Sequence, residues 1–258
     1  MSKALFFDID GTLVSFKTHT IPQSTLDALK KLKANGHKIF IATGRPKLLI
    51  GKFCNLGFDG YVTMNGAHCF TDDGIDIYKG TIPHEDIERL IAYFGTHSYP
   101  FLCILNNDWF ITHSNEDVEE ICRLIEIKTP PIAPLETVRG KEVLEMMGYF
   151  PKTAENDIFE KILTHCEPLR WHPVFTDIVK KGISKSTGIE EVIQYYGIDL
   201  KDTIAFGDGG NDISMLQHVG TGIAMGNAND KVKAAANYVT TSVDENGIAN
   251  ALKYLSLI

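Results

Sequence analysis

The sequence predicts an α/β fold with a doubly wound parallel sheet and an inserted α+β module. Three observations support this: short apolar runs that end in small or acidic residues, helical patterns that alternate with these runs, and a different pattern between about Thr81 and Lys181. Continuous apolar runs are typical of parallel strands that helices cover on both faces. In such a sheet, ligands bind at the carboxyl ends of the strands.

Five apolar runs are predicted to form the strands of this sheet. They are residues 4–10, 38–44, 61–66, 203–208 and 222–226. Helical patterns separate them: leucines at helical spacing mark residues 22–35, which end before Gly36, and isoleucine and valine mark residues 185–196, which end before Gly197. This alternation predicts a layered fold in which the helices cover a single sheet.

The central part of the chain follows a different pattern. Its predicted helices are residues 85–94 and 115–127, and its predicted strands are residues 100–105, 110–113, 142–148 and 170–179. Strand–helix units resume after Gly182, so we predict an α/β core of residues 1–80 and 182–258 with an insertion of residues 81–181. The chain leaves the core near Thr81 and re-enters it near Lys181 and Gly182, where glycine permits unusual backbone angles. We therefore expect a lid-like insertion with hinges at these two places.

Composition and charge exclude several classes of protein. The 258 residues are 44% hydrophobic and 22% charged, which is ordinary for globular domains. Thirty-three acidic side chains against 25 basic ones give a net charge of −8, which disfavours a surface for nucleic acid or anionic membrane. An acidic protein that handles phosphate needs local groups or a metal ion to do so.

Cysteine spacing and the length of apolar runs predict the cellular setting. The five cysteines are widely spaced without a C-x-x-C pair, so neither a disulfide framework nor a zinc site is indicated. The first apolar run stops at Asp8, too early for a signal peptide, and no stretch reaches the ~18 apolar residues of a membrane span. We therefore expect a cytoplasmic protein without membrane association, as a monomer or a weak homo-oligomer.

Asp8 and Asp10 lie in the segment D-I-D-G-T, where a buried strand gives way to a loop. Two carboxylates two residues apart can take different roles, with one as nucleophile or metal ligand and the other as acid or base. A D-x-D pair is also expected by chance in a chain of this composition. The position of the pair at the end of a central strand favours the functional interpretation.

The segment G-D-G-G-N-D, residues 207–212, follows another apolar strand. Asp208, Asn211 and Asp212 offer three oxygen-bearing side chains on a glycine-rich turn, a set that suits Mg²⁺. The alternative is a surface turn whose aspartate caps a helix that begins near Ile213. The number of carboxylates beside a buried strand favours the metal site.

Two further segments hold candidate groups. Thr43 and Gly44 end the second strand and can offer a hydroxyl and backbone N–H groups to a phosphate oxygen. The same turn also suits a helix N-cap, with Arg45 as a solvated charge. Lys185 begins a helix, where a lysine normally faces solvent. A G-x-x-x-x-G-K-[ST] motif is absent, which excludes a P-loop nucleotide site.

Taken in order, four segments resemble the motifs of the haloacid dehalogenase (HAD) superfamily of phosphatases. They are D-x-D-G-T at residue 8, A-T-G-R at 42, K-G-x-S-K at 181 and G-D-G-x-N-D at 207. The tail A-M-G-N-A at 224–228 is similar to the Cof-type subfamily, in which a C2 cap lies between the second and third motifs. The resemblance implies a HAD-like, Rossmann-type core and makes the inserted α+β module a cap.

The resemblance also implies a role for each motif residue. Asp8 would attack phosphorus and form an aspartyl-phosphate, and Asp10 would protonate the leaving alcohol and later activate water. Lys185 would neutralise charge on the phosphate. The phosphoryl oxygens would be held by Thr43 and Asn211. Mg²⁺ would be held by Asp8, the backbone carbonyl of Asp10, Asp208 and, in or near the ligand shell, Asp212.

These roles predict an Mg²⁺-dependent phosphatase of small phosphomonoesters, with sugar phosphates as the favoured class and a small phosphorylated metabolite as partner. Two alternatives stay open: a sugar phosphomutase, which also uses D-x-D, and a non-catalytic phospho-acceptor or phosphate-sensing module. Aromatic residues of the cap are candidates to stack on a sugar ring, although aromatic residues on short strands more often belong to a core. They are Trp109, Phe110, Trp171, His172 and Phe175.

Overall fold

The structure is a computed structural model that describes residues 2–94, 99–124 and 127–258, without the side chain of Trp171. The chain forms two compact units. The first unit comprises Met1–Lys79 and Ser184–Ile258, and the second comprises Gly80–Ile183. The predicted boundaries, 80/81 and 181/182, differ from these by one and two residues.

Strands and helices are numbered along the chain. The strands are β1 (Ala4–Phe7), β2 (Lys38–Ala42), β3 (Gly60–Thr63), β4 (His68–Thr71), β5 (Asp76–Lys79), β6 (Phe101–Ile104), β7 (Trp109–Ile111), β8 (Glu145–Gly148), β9 (Cys166–His172), β10 (Phe175–Lys180), β11 (Thr203–Gly207), β12 (Thr221–Ala224) and β13 (Tyr238–Val239). The α-helices are α1 (Gln23–Ala34), α2 (His84–Phe94), α3 (Glu116–Leu124), α4 (Glu155–Lys161), α5 (Lys185–Tyr196), α6 (Ile213–His218), α7 (Asp230–Ala235) and α8 (Gly247–Tyr254).

The first unit is built on one sheet with the strand order β13-β12-β11-β1-β2-β3-β4-β5. From β13 to β3 all neighbours are parallel, and β1 lies in the middle, where Phe7 is in register with Phe206 of β11 and Ile41 of β2. The last two strands differ from the prediction of a wholly parallel sheet, because β4 and β5 are antiparallel additions at the edge. The predicted strand 61–66 is also shorter, since it ends at Thr63.

Helices cover both faces of this sheet. Alternate residues of β1 point to opposite faces, so Leu5 and Phe7 belong to one apolar cluster while Ala4 and Phe6 belong to another. The first cluster includes residues of α1 and α8, and the second includes residues of α5, α6 and α7. The doubly wound α/β fold is therefore confirmed.

The second unit contains an antiparallel sheet with the order β7-β6-β8-β10-β9. The prediction of one strand over 170–179 is wrong, because a turn at Pro173 and Val174 divides this region into β9 and β10. The predicted helix 115–127 is observed as α3, and residues 125 and 126 lie outside the described part of the chain. Phe110, a candidate sugar contact, is buried in the apolar core of this unit. The side chain of the candidate Trp171 lies outside the described residues.

Within the described ranges, no helix is long and apolar enough to span a membrane.

Candidate active site

The candidate residues follow the carboxyl ends of neighbouring strands in the first unit. Asp8 follows β1, Thr43 follows β2 and Asp208 follows β11. Because β1 pairs in parallel with both β2 and β11, these three ends lie at one edge of the sheet. Lys185, the first residue of α5, reaches the same edge. Four separate segments therefore converge on one place.

Lys185 lies at the centre of this site. Its Nζ donates hydrogen bonds to Asp8 Oδ1 at 2.6 Å and to Asp212 Oδ1 at 2.5 Å. The lysine is only 1% exposed, so the alternative of a solvent-facing side chain at a helix start is wrong here. Ser184 fixes the beginning of α5, since its side chain forms a capping box with Thr187. Two aspartates thus share one buried cation.

Burial and mutual repulsion act on the ionisable groups of the site. Burial, with repulsion from Asp212, raises the pKa of Asp8 well above its ordinary value, and Lys185 opposes this shift. Burial raises the pKa of Asp208 to about 6, against the hydrogen bond from Thr12. Burial alone would lower the pKa of Lys185, but Asp212 and Asp8 outweigh it and raise that pKa. One cation therefore faces three carboxylates.

Two side chains hold Asp208 in place. Thr12 Oγ1 donates to Asp208 Oδ1 at 2.9 Å, and Asn227 Nδ2 donates to Asp208 Oδ2 at 3.0 Å. Gly11 leaves room for this carboxylate, because a Cβ on Gly11 would lie 2.1 Å from Asp208 Oδ2. Sequence reasoning assigned no role to Thr12 or Asn227, although both belong to segments that carry the family resemblance.

The carboxylates of Asp8, Asp208 and Asp212 form a group with the chemistry of a metal site. One oxygen from each lies within 4.8 Å of the others. Asp212 Oδ2 also accepts from the backbone N–H groups of Asp208 and Gly209, at 2.9 and 2.8 Å, which fixes its orientation. Clustered oxygen donors with an excess of negative charge suit a hard cation, so the residues present fit Mg²⁺.

Asp10 is engaged with Arg45 in a bidentate ion pair. Arg45 Nε donates to Asp10 Oδ2 at 2.8 Å, and Arg45 Nη2 donates to Asp10 Oδ1 at 2.7 Å. The interpretation of Arg45 as a solvated charge is therefore wrong. The Asp10 side chain keeps 40% of its surface exposed, in contrast to the buried Asp8. The two carboxylates of D-x-D thus lie in different environments, as separate chemical roles require.

Thr43, Gly44 and Asn211 lie beside Asn65, a residue that sequence reasoning missed. Asn65 Oδ1 accepts from Asn211 Nδ2 at 2.9 Å, and the Asn65 backbone N–H donates to Thr43 O at 3.1 Å. A Cβ on Gly44 would lie 3.3 Å from Asn65 Oδ1, so these loops are in close contact. Asn65 follows the end of β3 by two residues, and the strand-end rule that found the other candidates applies to it as well.

In this site the Asp8 carboxylate is hydrogen-bonded to a buried lysine, and a second carboxylate, Asp10, lies two residues further along the chain. An acidic loop beside them fits a metal ion. Carboxylates act as nucleophiles or as acids and bases, and cations offset the repulsion between a carboxylate and an anionic substrate. Fold and site together are those of an α/β enzyme. Residues 5–252 match the haloacid dehalogenase-like hydrolases, and the chain belongs to this family.

Proteins of known structure are similar to this chain in both fold and sequence. The structure of BT4131, a HAD subclass IIB sugar phosphatase, is 44% identical, with 100% of each chain covered and a TM-score of 0.87. The structure of BT1666 from Bacteroides thetaiotaomicron, from a comparison of HAD phosphatases, is 38% identical, with 100% of this chain and 96% of that chain covered and a TM-score of 0.91.

A curated relative agrees with these structures. YkrA of Bacillus subtilis (strain 168), named as a candidate phosphatase with no stated substrate, is 35% identical over 259 residues, which cover 100% of this chain and 99% of the relative. The predicted superfamily and the predicted enzyme class, a HAD-type phosphatase, are confirmed by the family match together with these proteins.

Proposed function

We propose that the protein hydrolyses small phosphomonoesters, with sugar phosphates as the favoured substrates, through a phosphorylated Asp8. The observation that carries this proposal is the buried Lys185, which binds Asp8 and Asp212 at once. An ionised nucleophile in a buried site needs such a cation, because burial otherwise favours the neutral acid. The sugar phosphatase of subclass IIB, at 44% identity over the full chain, supports the substrate class.

The proposed reaction has two steps. In the first, an Asp8 carboxylate oxygen forms a bond to phosphorus and the bond from phosphorus to the alcohol oxygen breaks. Asp10, which has left its ion pair with Arg45 and taken up a proton on substrate binding, gives that proton to the alcohol oxygen. In the second, Asp10 takes a proton from water, the water oxygen bonds to phosphorus, and the bond to Asp8 breaks. Inorganic phosphate leaves, and both aspartates return to their starting state.

The other residues of the site bind the phosphoryl group. The Thr43 hydroxyl, the Gly44 N–H and the Asn211 amide would donate hydrogen bonds to its oxygens, and Lys185 would offset its charge. Asp8, Asp208 and the backbone carbonyl of Asp10 would hold Mg²⁺, with Asp212 orienting the loop and the lysine. When bound, the ion would supply positive charge that offsets the repulsion between substrate and carboxylates.

Phosphate release from a panel of phosphorylated metabolites tests the proposal. We expect multiple turnovers with sugar phosphates, loss of activity with EDTA and recovery with Mg²⁺. Ca²⁺ should restore activity poorly, because its larger and looser ligand shell suits a phosphatase site badly. Full activity in metal-free buffer would contradict the metal site. An isomeric sugar phosphate as product would identify a phosphomutase, and a single phosphorylation without turnover would identify a phospho-acceptor.

The separate role of Asp10 can be tested with the variant Asp10→Asn. Its backbone carbonyl is unchanged and Asp8 can still attack, but no acid remains to protonate the leaving alcohol. Formation of the aspartyl-phosphate should therefore slow less with p-nitrophenyl phosphate, a good leaving group, than with a sugar phosphate. Rapid-quench measurement of the first step checks this. Equal slowing for both substrates would contradict the assigned role.

A further inference from the structure

The turn that follows β3 has an unusual backbone. Met64 has φ +48°, Asn65 has φ +52° and Gly66 has φ +105°, so three consecutive residues lie in the left-handed region. Only glycine adopts this region without steric cost, and the first two residues carry full side chains. All three are buried. Strained backbone at the edge of an active site is an observation that calls for a functional explanation.

This turn makes contact with the loop that carries Thr43. The backbone N–H of Asn65 donates to Thr43 O at 3.1 Å, and that of Met64 donates to Arg45 O at 3.2 Å. The positive φ values therefore belong to a conformation that two backbone hydrogen bonds hold against the phosphate-binding loop. In that conformation the Asn65 side chain lies against the same loop, since a Cβ added to Gly44 would lie 3.3 Å from Asn65 Oδ1.

The same turn packs against the beginning of α5. A Cβ on Gly66 would lie 2.2 Å from Ser184 O, and a Cβ on Gly188 would lie 2.9 Å from Gly66 Cα. Backbone contacts this close allow only glycine at both positions. Because Lys185 follows Ser184 directly, the turn is fixed in position by the helix that carries the buried lysine.

Asn65 and Asn211 differ in how firmly their side chains are held, so the first can orient the second. Asn65 is 6% exposed and its backbone is fixed, whereas Asn211 is exposed on the loop that follows β11. An exposed amide rotates freely unless a fixed group binds it. The hydrogen bond from Asn211 Nδ2 to Asn65 Oδ1, at 2.9 Å, is the contact that orients the Asn211 amide.

We infer that Asn65 is a positioning residue, which holds the Asn211 amide in the orientation that binds the phosphoryl group. This inference rests on the proposed function, because it concerns the same site. It accounts for the strained turn: the backbone of Met64 and Asn65 takes a costly conformation, and the result is one hydrogen-bond acceptor fixed between the Thr43 loop and the Asn211 loop.

The variant Asn65→Gly separates the side chain from the backbone. Glycine accepts φ +52° without strain, so the turn and the fold should persist, with a thermal midpoint close to that of the wild type. Loss of one orienting hydrogen bond should lower kcat/KM for a phosphomonoester by roughly ten-fold. Asn246→Gly is the matched control, because Asn246 also has a left-handed backbone, φ +64°, and its Oδ1 accepts a hydrogen bond from Ser24, outside the active site. Its kcat/KM should not change.

A double-mutant cycle tests whether Asn65 acts through Asn211. We expect Asn65→Gly to have a large effect in the wild type and almost none in a chain that already carries Asn211→Ala, since the oriented group is then gone. A purely structural role of Asn65 would instead give effects that multiply independently. The inhibition constant of inorganic phosphate should show the same non-additivity when it is measured for the wild type, the two single variants and the double variant.

Three results would overturn the inference while the wild type is an active phosphatase. They are an unchanged kcat/KM in Asn65→Gly, independent effects in the cycle, and an unfolded Asn65→Gly protein, which would show that the side chain serves stability instead. A wild-type protein without phosphatase activity is a different result, since it would contradict the proposed function itself.

Discussion

Each of the two units buries acidic side chains, but the partners of those side chains differ. In the first unit, Asp8 and Asp212 share Lys185, which lies 177 and 27 residues away from them along the chain. In the second unit, the fully buried Asp86 binds Arg89, one turn further along α2, and the backbone N–H of His165 at 2.9 Å.

The buried charges of the two units have different effects on stability. Asp86 connects α2 to the chain before β9 and is paired with Arg89. The exposed Glu85 also lies 3.2 Å from His165 Nδ1, which is 2.9 Å from Asp86 Oδ1. In the first unit, three carboxylates crowd around one lysine, and their repulsion opposes folding. A cluster of carboxylates that costs stability is expected of an active site, whereas a carboxylate with a cation of its own contributes to the fold.

The largest expected effect is that of Asp8→Asn on turnover. The substitution nearly preserves volume and removes the nucleophile, so kcat should fall on the order of 10⁴-fold or more while the fold persists. Phosphate release and circular dichroism measure the two effects, with Asp27→Asn on the exposed face of α1 as the control. Covalent phosphate on the Asp8→Asn protein, detected by intact mass, would show that another residue is the nucleophile.

Lys185→Met should lower both activity and stability. The variant leaves Asp8 and Asp212 buried without their cation, so we expect the free energy of unfolding to fall by about 3 kcal/mol and kcat to fall on the order of 10³-fold. Urea denaturation and steady-state kinetics measure these changes. Lys201→Met, at an exposed lysine paired with Asp199, should change neither. An active Lys185→Met protein would remove the basis of the proposed mechanism.

Asp86→Asn should separate stability from activity. The asparagine cannot accept from both Arg89 and His165 as a carboxylate does, so the free energy of unfolding should fall by about 2 kcal/mol. The kcat/KM of the folded protein should be unchanged, in contrast to the variants of the first unit. Glu120→Gln, at an exposed position of α3 in the same unit, controls for the change of charge. A large loss of kcat/KM in Asp86→Asn would show that Asp86 contributes to activity as well as to the fold.

The smallest effect is expected for Glu145→Gln, and it concerns the pH dependence of stability. Among the described residues, the buried Oε2 of Glu145 has no hydrogen-bond partner, and burial, with repulsion from Asp177, raises the pKa of this carboxyl well above its ordinary value. The folded state thus retains a proton that the unfolded state releases, so stability falls as pH rises from the ordinary glutamate pKa towards the raised one.

Glutamine does not titrate, and the Glu145→Gln protein should lack this contribution to the pH dependence. We expect its thermal midpoint to equal that of the wild type near pH 4 and to exceed it increasingly at higher pH. Glu136→Gln, at an exposed position, should follow the wild type throughout. A variant that is less stable than the wild type at pH 8 would show that Glu145 has a cationic partner.

Sequence reasoning found the strands whose apolar runs are continuous, and it missed those whose runs are not. Strand β5 is partly exposed along its length and carries polar residues, so its antiparallel pairing at the edge of the sheet left no apolar run to detect. The error over 170–179 has the opposite cause. Apolar residues continue across the turn at Pro173 and Val174, and only strand pairing shows that the chain reverses there.

The site could be predicted where residue type and strand position were sufficient. Asp8, Asp208 and Lys185 come from segments that a parallel sheet brings to one edge, and the structure brings them together. The pairing of Arg45 with Asp10 depends on side-chain conformations that no spacing encodes. Asn65 was missed because an uncharged residue in a predicted strand end has no motif of its own.

The separation of 177 residues between Asp8 and Lys185 has a consequence during synthesis on the ribosome. Strands β1–β5 leave the exit tunnel long before β11, which pairs with β1 in the finished sheet. The second unit is continuous in sequence, so it can fold on the ribosome while the first unit is still incomplete. Throughout that interval, one edge of β1 lacks its partner strand, and the backbone N–H and C=O groups that later pair with β11 are exposed. The nascent chain therefore needs protection from aggregation at this edge until residues 203–207 have been translated.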